Sequence, residues 1–289
     1  MIQGATVTFH RSYHYRHKPR ESHTKAVAAK VSPDQVAEEI FFCGDPHGSF
    51  DHILQAAKEH RPKAMVILGD LQPPAPLHEV LADILSFVDV WWIPGNHDTD
   101  NDLFYDRLWR SELAGHNLHG RVALVNGIRI AGLGGVFRGQ IWMPPQAPNY
   151  MSAGSFIRRI GRGNMWRGGL PRRHRTSIFP STYDNLLEHK ADVLVTHEAP
   201  GCHRKGFLAI DQLAKKLQVK YLFHGHQHED RHYPTYYGFT PRGVGYRGIV
   251  NLKGDDIVPA QIDPREAMEY AEQAQSLERV ERAMFKRLG

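Results

Sequence analysis

From Glu39 onward the chain alternates short, uninterrupted apolar runs with longer amphipathic stretches. Ile40–Cys43, Ala64–Leu68 and Val90–Ile93 are such runs, and Phe50–Glu59 and Leu77–Phe87 lie between them. Brief apolar runs with β-branched and aromatic members predict strands buried on both faces, and connections of about ten residues suit crossover helices. The resulting β-α-β-α-β order predicts an α/β fold with a largely parallel sheet, because crossovers of this kind are right-handed. Further strands are predicted at Val122–Val125, Ile128–Leu133, Val193–Val195 and Tyr221–Phe223, with Val244–Leu252 as a late hairpin or strand pair.

Elsewhere the rhythm breaks. Residues 1–38 are polar and rich in His and Arg, and read as an N-terminal extension ahead of a domain spanning 39–263. The stretch 138–180 is rich in Gly, Pro and Arg and too long for an ordinary connection, which predicts a functional insertion or a loop. Met268, Ala271, Leu277, Val280, Met284 and Leu288, spaced among charges, predict an amphipathic helix over 264–289.

Composition narrows the reading only in places. No apolar run approaches the roughly 20 residues needed to span a bilayer, and no signal-type stretch opens the chain, so a cytoplasmic protein without a membrane partner is expected. Cys43 and Cys202 cannot build a disulfide framework and are expected as thiols, Cys43 in the core. The 36 Lys and Arg against 31 Asp and Glu give a formal charge of +5, which favours an anionic partner without naming one. The 19 histidines change the picture most, because several stand beside Asp, Asn or Gly where an apolar run ends.

Directly after the first predicted strand comes Gly44-Asp45-Pro46-His47-Gly48, after the second Gly69-Asp70, and after the third Gly95-Asn96-His97-Asp98. Later runs end in Thr196-His197-Glu198 and in His224-Gly225-His226-Gln227-His228. Ligands of open α/β sheets bind outside the carboxyl ends of the strands, so these side chains can converge although they are far apart in sequence. Carboxylate, amide and imidazole ligands together suit Mn, Fe, Zn or Ni better than Mg, which prefers oxygen.

The ordered pattern Asp-x-His, Gly-Asp, Gly-Asn-His-Asp, His, Gly-His-x-His, running from Gly44 to His228, resembles the calcineurin-like metallophosphoesterases. That resemblance implies a four-layer α/β sandwich of two mixed sheets flanked by helices, and a cofactor of two divalent metal ions, manganese first. It assigns Asp45, His47 and His228 to one metal and Asn96, His197 and His226 to the other, with Asp70 bridging. Two cations about 3.5–4 Å apart lower the pKa of a water held between them and clamp the phosphoryl oxygens. The resemblance makes His97 the acid that protonates the leaving alkoxide, and Asp98 is the residue expected to orient it.

Departures shape the substrate reading. Ser/Thr protein phosphatases of this type carry Gly-Asp-x-x-Asp-Arg-Gly and Gly-Asn-His-Glu, whereas this chain reads Gly69-Asp70-Leu71-Gln72-Pro73-Pro74 and ends the later motif at Asp98. A phosphodiesterase acting on nucleotides or nucleic acid therefore fits better than a phosphomonoesterase or protein phosphatase. Arg129 to Phe137, Pro144-Pro145 and Thr196-His197-Glu198-Ala199-Pro200 resemble the RNA lariat debranching enzymes, which tend to carry Cys where this chain has His47. Arginines with interleaved aromatics suit phosphates and bases. Arg138, Arg158, Arg159 and Arg162, with His203 after the His197 motif, are thus the candidate substrate contacts, a solvated loop being the alternative for the insertion. A non-catalytic metal-binding scaffold is the remaining reading, and the full ligand set with His97 argues against it.

Overall fold

The computed structural model describes residues 32–264 together with Ala267 and Met268. Most of the N-terminal extension and of the terminal helix expected over 264–289 lies outside these residues.

In chain order the strands and α-helices are β1 (Ile40–Cys43), α1 (Asp51–His60), β2 (Ala64–Ile67), α2 (Leu77–Val80), β3 (Asp89–Trp92), α3 (Asp102–Trp109), β4 (Arg121–Val125), β5 (Ile128–Leu133), α4 (Ala153–Ile157), α5 (Pro180–Leu187), β6 (Val193–Thr196), α6 (Leu208–Leu217), β7 (Tyr221–His224), β8 (Arg231–His232), β9 (Thr240–Gly243), β10 (Ile249–Asn251) and β11 (Asp256–Val258). One sheet has the order β11-β10-β1-β2-β3 and the other β4-β5-β6-β7-β9-β8. In the first, β1, β2 and β3 run parallel and β10 runs against β1. In the second, β5, β6, β7 and β9 are parallel, with antiparallel β4 and β8 at the edges. Both sheets are mixed and flanked by helices, as the resemblance implied.

The side-chain period of two along a strand explains the layering. In β1, Ile40 and Phe42 join Val193, Val195 and Phe223 in a core between the sheets, whereas Phe41 and Cys43 pack with Ile53, Ala56 and Ala57 of α1. The rings of Phe42 and Phe223 stack at 3.8 Å across that middle layer. Leu194 and Leu222 face the other way, onto Ile210, Leu213 and Leu217 of α6.

Several elements differ from their sequence reading. The helix expected over Leu77–Phe87 is regular only to Val80, and the chain continues through successive turns such as Ile84 N–H to Leu81 O and Phe87 N–H to Ile84 O. Leu77, Leu81 and Ile84 are all fully buried, so the apolar spacing is satisfied without a regular helix. Val244–Leu252 is not a hairpin: β9 and β10 belong to different sheets, and residues 244–248 carry the chain between them. Pro33–Glu39, which straddles the expected boundary between the extension and the domain at Glu39, is a 3-10 helix with a Ser32–Gln35 capping box and a buried Ala37. The stretch 138–180 contains α4, two 3-10 turns and a small core of Ile141, Phe156, Leu170 and Phe179. Those four residues have no common period, which hid their shared burial in the sequence.

Candidate metal centre

Parallel strands put their carboxyl ends at one edge, and that edge of both sheets carries the motifs. Asp45 and His47 follow β1, Asp70 follows β2, and Asn96 and His97 follow β3; His197 follows β6, and His226 and His228 follow β7. Asp45, His47, Asp70, Gln72, His226 and His228 all have positive φ, between 22° and 68°. Asp and His tolerate this left-handed region better than most residues, and such backbone persists where the surroundings over-determine it. At Gly225 a Cβ would stand 2.7 Å from a carboxylate oxygen of Asp45, so a side chain there would displace a candidate ligand.

Asp45, His47, Asp70 and His228 each present one ligand atom within 4.8 Å of the others, and Asp70, His197 and His226 form a second such group. Asp70 is common to both. Its Oδ2 lies 3.7 Å from Nε2 of His47 and 3.5 Å from Nε2 of His197. The Nε2 atoms of His47 and His228 are 3.0 Å apart, and Oδ1 of Asn96 is 3.1 Å from Nε2 of His197.

Contacts on the far side of the rings fix which nitrogen faces inward. His47 Nδ1–H donates to Gln72 Oε1 at 2.6 Å, and His197 Nδ1–H donates to Leu68 O at 2.8 Å. His228 Nδ1 lies 2.7 Å from Oδ2 of Asp263. A neutral imidazole with its proton on Nδ1 presents an Nε2 lone pair, and outer oxygen partners of this kind orient metal-binding histidines.

The electrostatics point to a cation. Asp45, Asp70 and Asp98 are at most 1% exposed. Burial raises the pKa of Asp45, and burial with the charge of Asp70 raises that of Asp98. Burial works the same way on Asp70, but His197, then His97 and His47, outweigh it and hold its carboxyl below the ordinary range. Burial pushes His226 down to about 3, which keeps its ring in the neutral, ligating form. Packing anionic carboxylates together away from water is costly unless a cation compensates them. These residues fit a pair of divalent ions: the donors are mixed O and N, the carboxylates are buried, and the two groups share one carboxylate, that of Asp70.

His97 lies beside this centre. Its ring is 5.6 Å from that of His47, and its backbone N–H donates to Oδ1 of Asp70 at 2.8 Å. The partner expected for its imidazole is corrected by the structure. Asp98 faces inward, accepting from Gln72 N–H at 2.9 Å and Gly95 N–H at 2.8 Å, and braces the loops after β2 and β3. Asp100 takes the place instead, with Oδ2 2.6 Å from His97 Nδ1. The cause is local: His97–Thr99 is a 3-10 turn, and at three residues per turn i and i+3 align while i+1 does not.

The candidate substrate contacts are scattered. Arg138 feels the charges of Glu198, Asp100 and Asp70 and follows Phe137, whose N–H donates to Glu198 Oε1 at 3.0 Å. Its guanidinium donates to Thr176 O at 2.7 Å and Ser177 Oγ at 3.0 Å, and burial, then the charge of Arg173, pushes its pKa down to about 10. Arg158 and Arg159 line a separate groove with Asn149, Tyr150, Met151 and Ser155, none of which is a candidate ligand. Arg162 is exposed on a short 3-10 turn. His203 is buried, its Nε2 3.6 Å from Glu229. Arg167 and Arg172, also in the insertion, are paired with acids of α3, Arg167 with Asp102 and Asp106 and Arg172 with Asp102.

Sequence reading missed Gln72, Asp100, Glu198 and Asp263. Gln72 and Asp100 stand two and three residues from motif positions, and a side-chain inventory of those turns would have raised both. Asp263 carries no local signal, because only the tertiary fold brings it to His228.

Fold and geometry together define a candidate metal centre at the carboxyl edge of a two-sheet α/β sandwich, where two groups of candidate ligands have Asp70 in common. The family described as Calcineurin-like phosphoesterase matches residues 39–230, and the chain belongs to that family. It is thus a hydrolase of phosphate esters from a family that binds divalent metals. A protein of Haemophilus influenzae described as an uncharacterized protein is 46% identical over 227 residues, 78% of this chain and 99% of that one. Among solved structures, TT1561 of Thermus thermophilus is similar at 16% identity with a TM-score of 0.48, over 74% of this chain and 94% of that one. A phosphopantetheinyl hydrolase from Mycobacterium tuberculosis is similar at 16% identity with a TM-score of 0.42, over 73% and 92%. A 5′-nucleotidase from Candida albicans is similar at 15% identity with a TM-score of 0.41, over 73% and 46%. Among the described residues, no helix is long and apolar enough to cross a membrane.

Proposed function

We propose that this phosphoesterase is a phosphodiesterase acting on nucleotides or nucleic acid, with two divalent cations, manganese first, held by Asp45, His47, Asp70, Asn96, His197, His226 and His228. The observation that carries the reading is the position of Asp70. One of its oxygens lies within 3.7 Å of an imidazole from each ligand group, while the other accepts the amide of the residue proposed as proton donor.

When bound, a metal pair supplies an activated water and positive charge for the phosphoryl oxygens. The chain's own residues do the rest. Gln72, Leu68 and Asp263 hold three imidazoles in one tautomer, so the donor set is preorganised before substrate arrives. Asp100 occupies Nδ1 of His97, leaving Nε2 to pass a proton to the departing oxygen. Diester over monoester rests on the turn after Asp70. The sequence there lacks the Asp-Arg pair of the protein phosphatases, and Gln72 is committed to His47.

The test compares bis-p-nitrophenyl phosphate with p-nitrophenyl phosphate in Mn²⁺, for wild type and Asp70→Asn. Faster diester cleavage that collapses in Asp70→Asn is the expected result. Preference for the monoester would replace this reading with a phosphomonoesterase.

A further inference from the structure

We infer that Arg172, contributed by the 138–180 insertion, is a positioning residue that locks Asp100 against His97 and so keeps the proton donor in register. The inference rests on the proposed role of His97 and adds to it the reason that the insertion is needed for turnover.

The His97–Asp100 pair is short of support of its own. Its side chains are 35% and 52% exposed, and an ion pair so open to water gains little from its charges and is not held by them. Its geometry must therefore come from the backbone of the 97–100 turn. A short helix ends on carbonyls that have no partner within it. Here the insertion supplies the partner: Arg172 Nε donates to Thr99 O at 2.9 Å and its Nη2 donates to Asp100 O at 2.7 Å. Its remaining nitrogen, Nη1, pairs with the Asp102 carboxylate at the start of α3. A guanidinium is planar and rigid, so three bonds from one fork fix residues 99, 100 and 102 relative to one another. Lys would offer a single point of attachment.

Neighbouring contacts hold the fork itself. Thr99 Oγ1 and Thr176 Oγ1, both buried, are 3.1 Å apart, and Arg138 donates to Thr176 O. Arg167 grips Asp106 at 2.9 Å, and Trp166 sets its ring edge-on to Tyr105 at 4.8 Å. Arg172 thus has its charge matched by Asp102, and its Nε and Nη2 both donate to the turn. It serves the proton donor and does not grip phosphate.

In the step it serves, the attacking water forms one P–O bond as the bond to the leaving oxygen breaks. That oxygen takes the proton from His97 Nε2, and solvent returns a proton to the ring. His97 keeps its Nδ1 proton throughout, donated to the Asp100 carboxylate. An acid of this kind matters in proportion to the basicity of the leaving group, which gives a readout that loss of fold would not mimic.

The experiment measures kcat/KM for wild type, His97→Ala, Arg172→Ala, the His97→Ala Arg172→Ala double variant, Arg172→Lys and Asp100→Asn on thymidine 5′-phosphodiesters with p-nitrophenyl, phenyl and methyl leaving groups, with melting temperatures recorded for each. Arg172→Ala is expected to lose at least tenfold more rate on the methyl ester than on the p-nitrophenyl ester, to match Asp100→Asn in that trend, and to add nothing to His97→Ala in the double variant. Arg172→Lys should fall on the side of Ala. Equal losses on all three leaving groups would overturn the inference and leave Arg172 a structural residue. If His97→Ala shows no dependence on leaving group, the proton-donor reading itself fails. A steep His97→Ala series beside flat Arg172 and Asp100 series defeats only the inference. Should Arg172→Ala not fold, the Lys and Asn variants carry the same comparison.

Discussion

The amide of His97 donates to Oδ1 of Asp70 over 2.8 Å, which ties the turn bearing the proposed acid to the carboxylate common to both ligand groups. Loss of Asp70 should therefore do more than weaken one site. Asp70→Asn is expected to lower bound metal to one equivalent or less, measured by elemental analysis after desalting, and to cut kcat/KM by at least 10³-fold. Retention of two equivalents would refute the bridging assignment.

Asp263 should act through His228. Outer carboxylates on metal-bound histidines are worth roughly 10–100-fold in metal affinity or activity. Asp263→Asn is expected to weaken Mn²⁺ binding in that range, read by competition with a chelating dye, while leaving KM for the diester within about twofold. An unchanged affinity would show that the 2.7 Å contact only packs the chain after β11.

Chelation should destabilise the fold as well as stop the reaction. Asp45, Asp70 and Asp98 remain buried together when cations are stripped, and their repulsion is then compensated by protonation and by the neighbouring His197, His97 and His47. Melting temperature should fall on treatment with EDTA and recover with added Mn²⁺ in a concentration-dependent way, as linkage requires. A melting curve indifferent to EDTA would argue against cations at this site.

The insertion should be acid-sensitive through His174. Its Nε2–H donates to Gln140 Oε1 at 2.9 Å and its Nδ1 lies 2.9 Å from Ser177 Oγ, an arrangement that suits the neutral ring. Burial first, then Arg138 and Arg173, push its pKa down to about 4. A folded pKa below the unfolded value of about 6.5 leaves stability intact above pH 6.5 and removes it as pH falls toward 4, by on the order of 2 kcal/mol once solvent screening is allowed for. His174→Gln should be less stable than wild type at pH 8 but show a shallower decline between pH 6.5 and 4, measured by urea denaturation. Parallel pH profiles would exclude His174 as the cause.

Much of this protein was legible as pattern. β1 falls on Ile40–Cys43 as its apolar run predicts, because strands buried on both faces must be apolar throughout, and β5 falls on Ile128–Leu133. The candidate ligands were legible for a related reason. Metal coordination requires particular donor types, and parallel strands confine them to the first four residues after each strand, so the spacing of Asp45, Asp70, Asn96, His197 and His226 survives in one dimension. α6 went unread although Ala209, Ile210, Leu213, Ala214 and Leu217 repeat at helical spacing, since the histidine motifs at its flanks carry the stronger signal.

What the sequence by itself determined was the α/β rhythm, the identity of the candidate donors and the edge on which they gather. Tertiary structure alone decided the partners: Asp100 and not Asp98 at His97, Asp263 at His228, and Arg172 on the turn that holds Asp100. The physical reason is that donor chemistry is a property of residue type, whereas orientation depends on which distant acceptor the fold brings within about 3 Å. Arginines in the insertion look alike as letters, and only the acids of α3 separate Arg167 and Arg172, which fasten the insertion down, from Arg158 and Arg159, which line an outer groove.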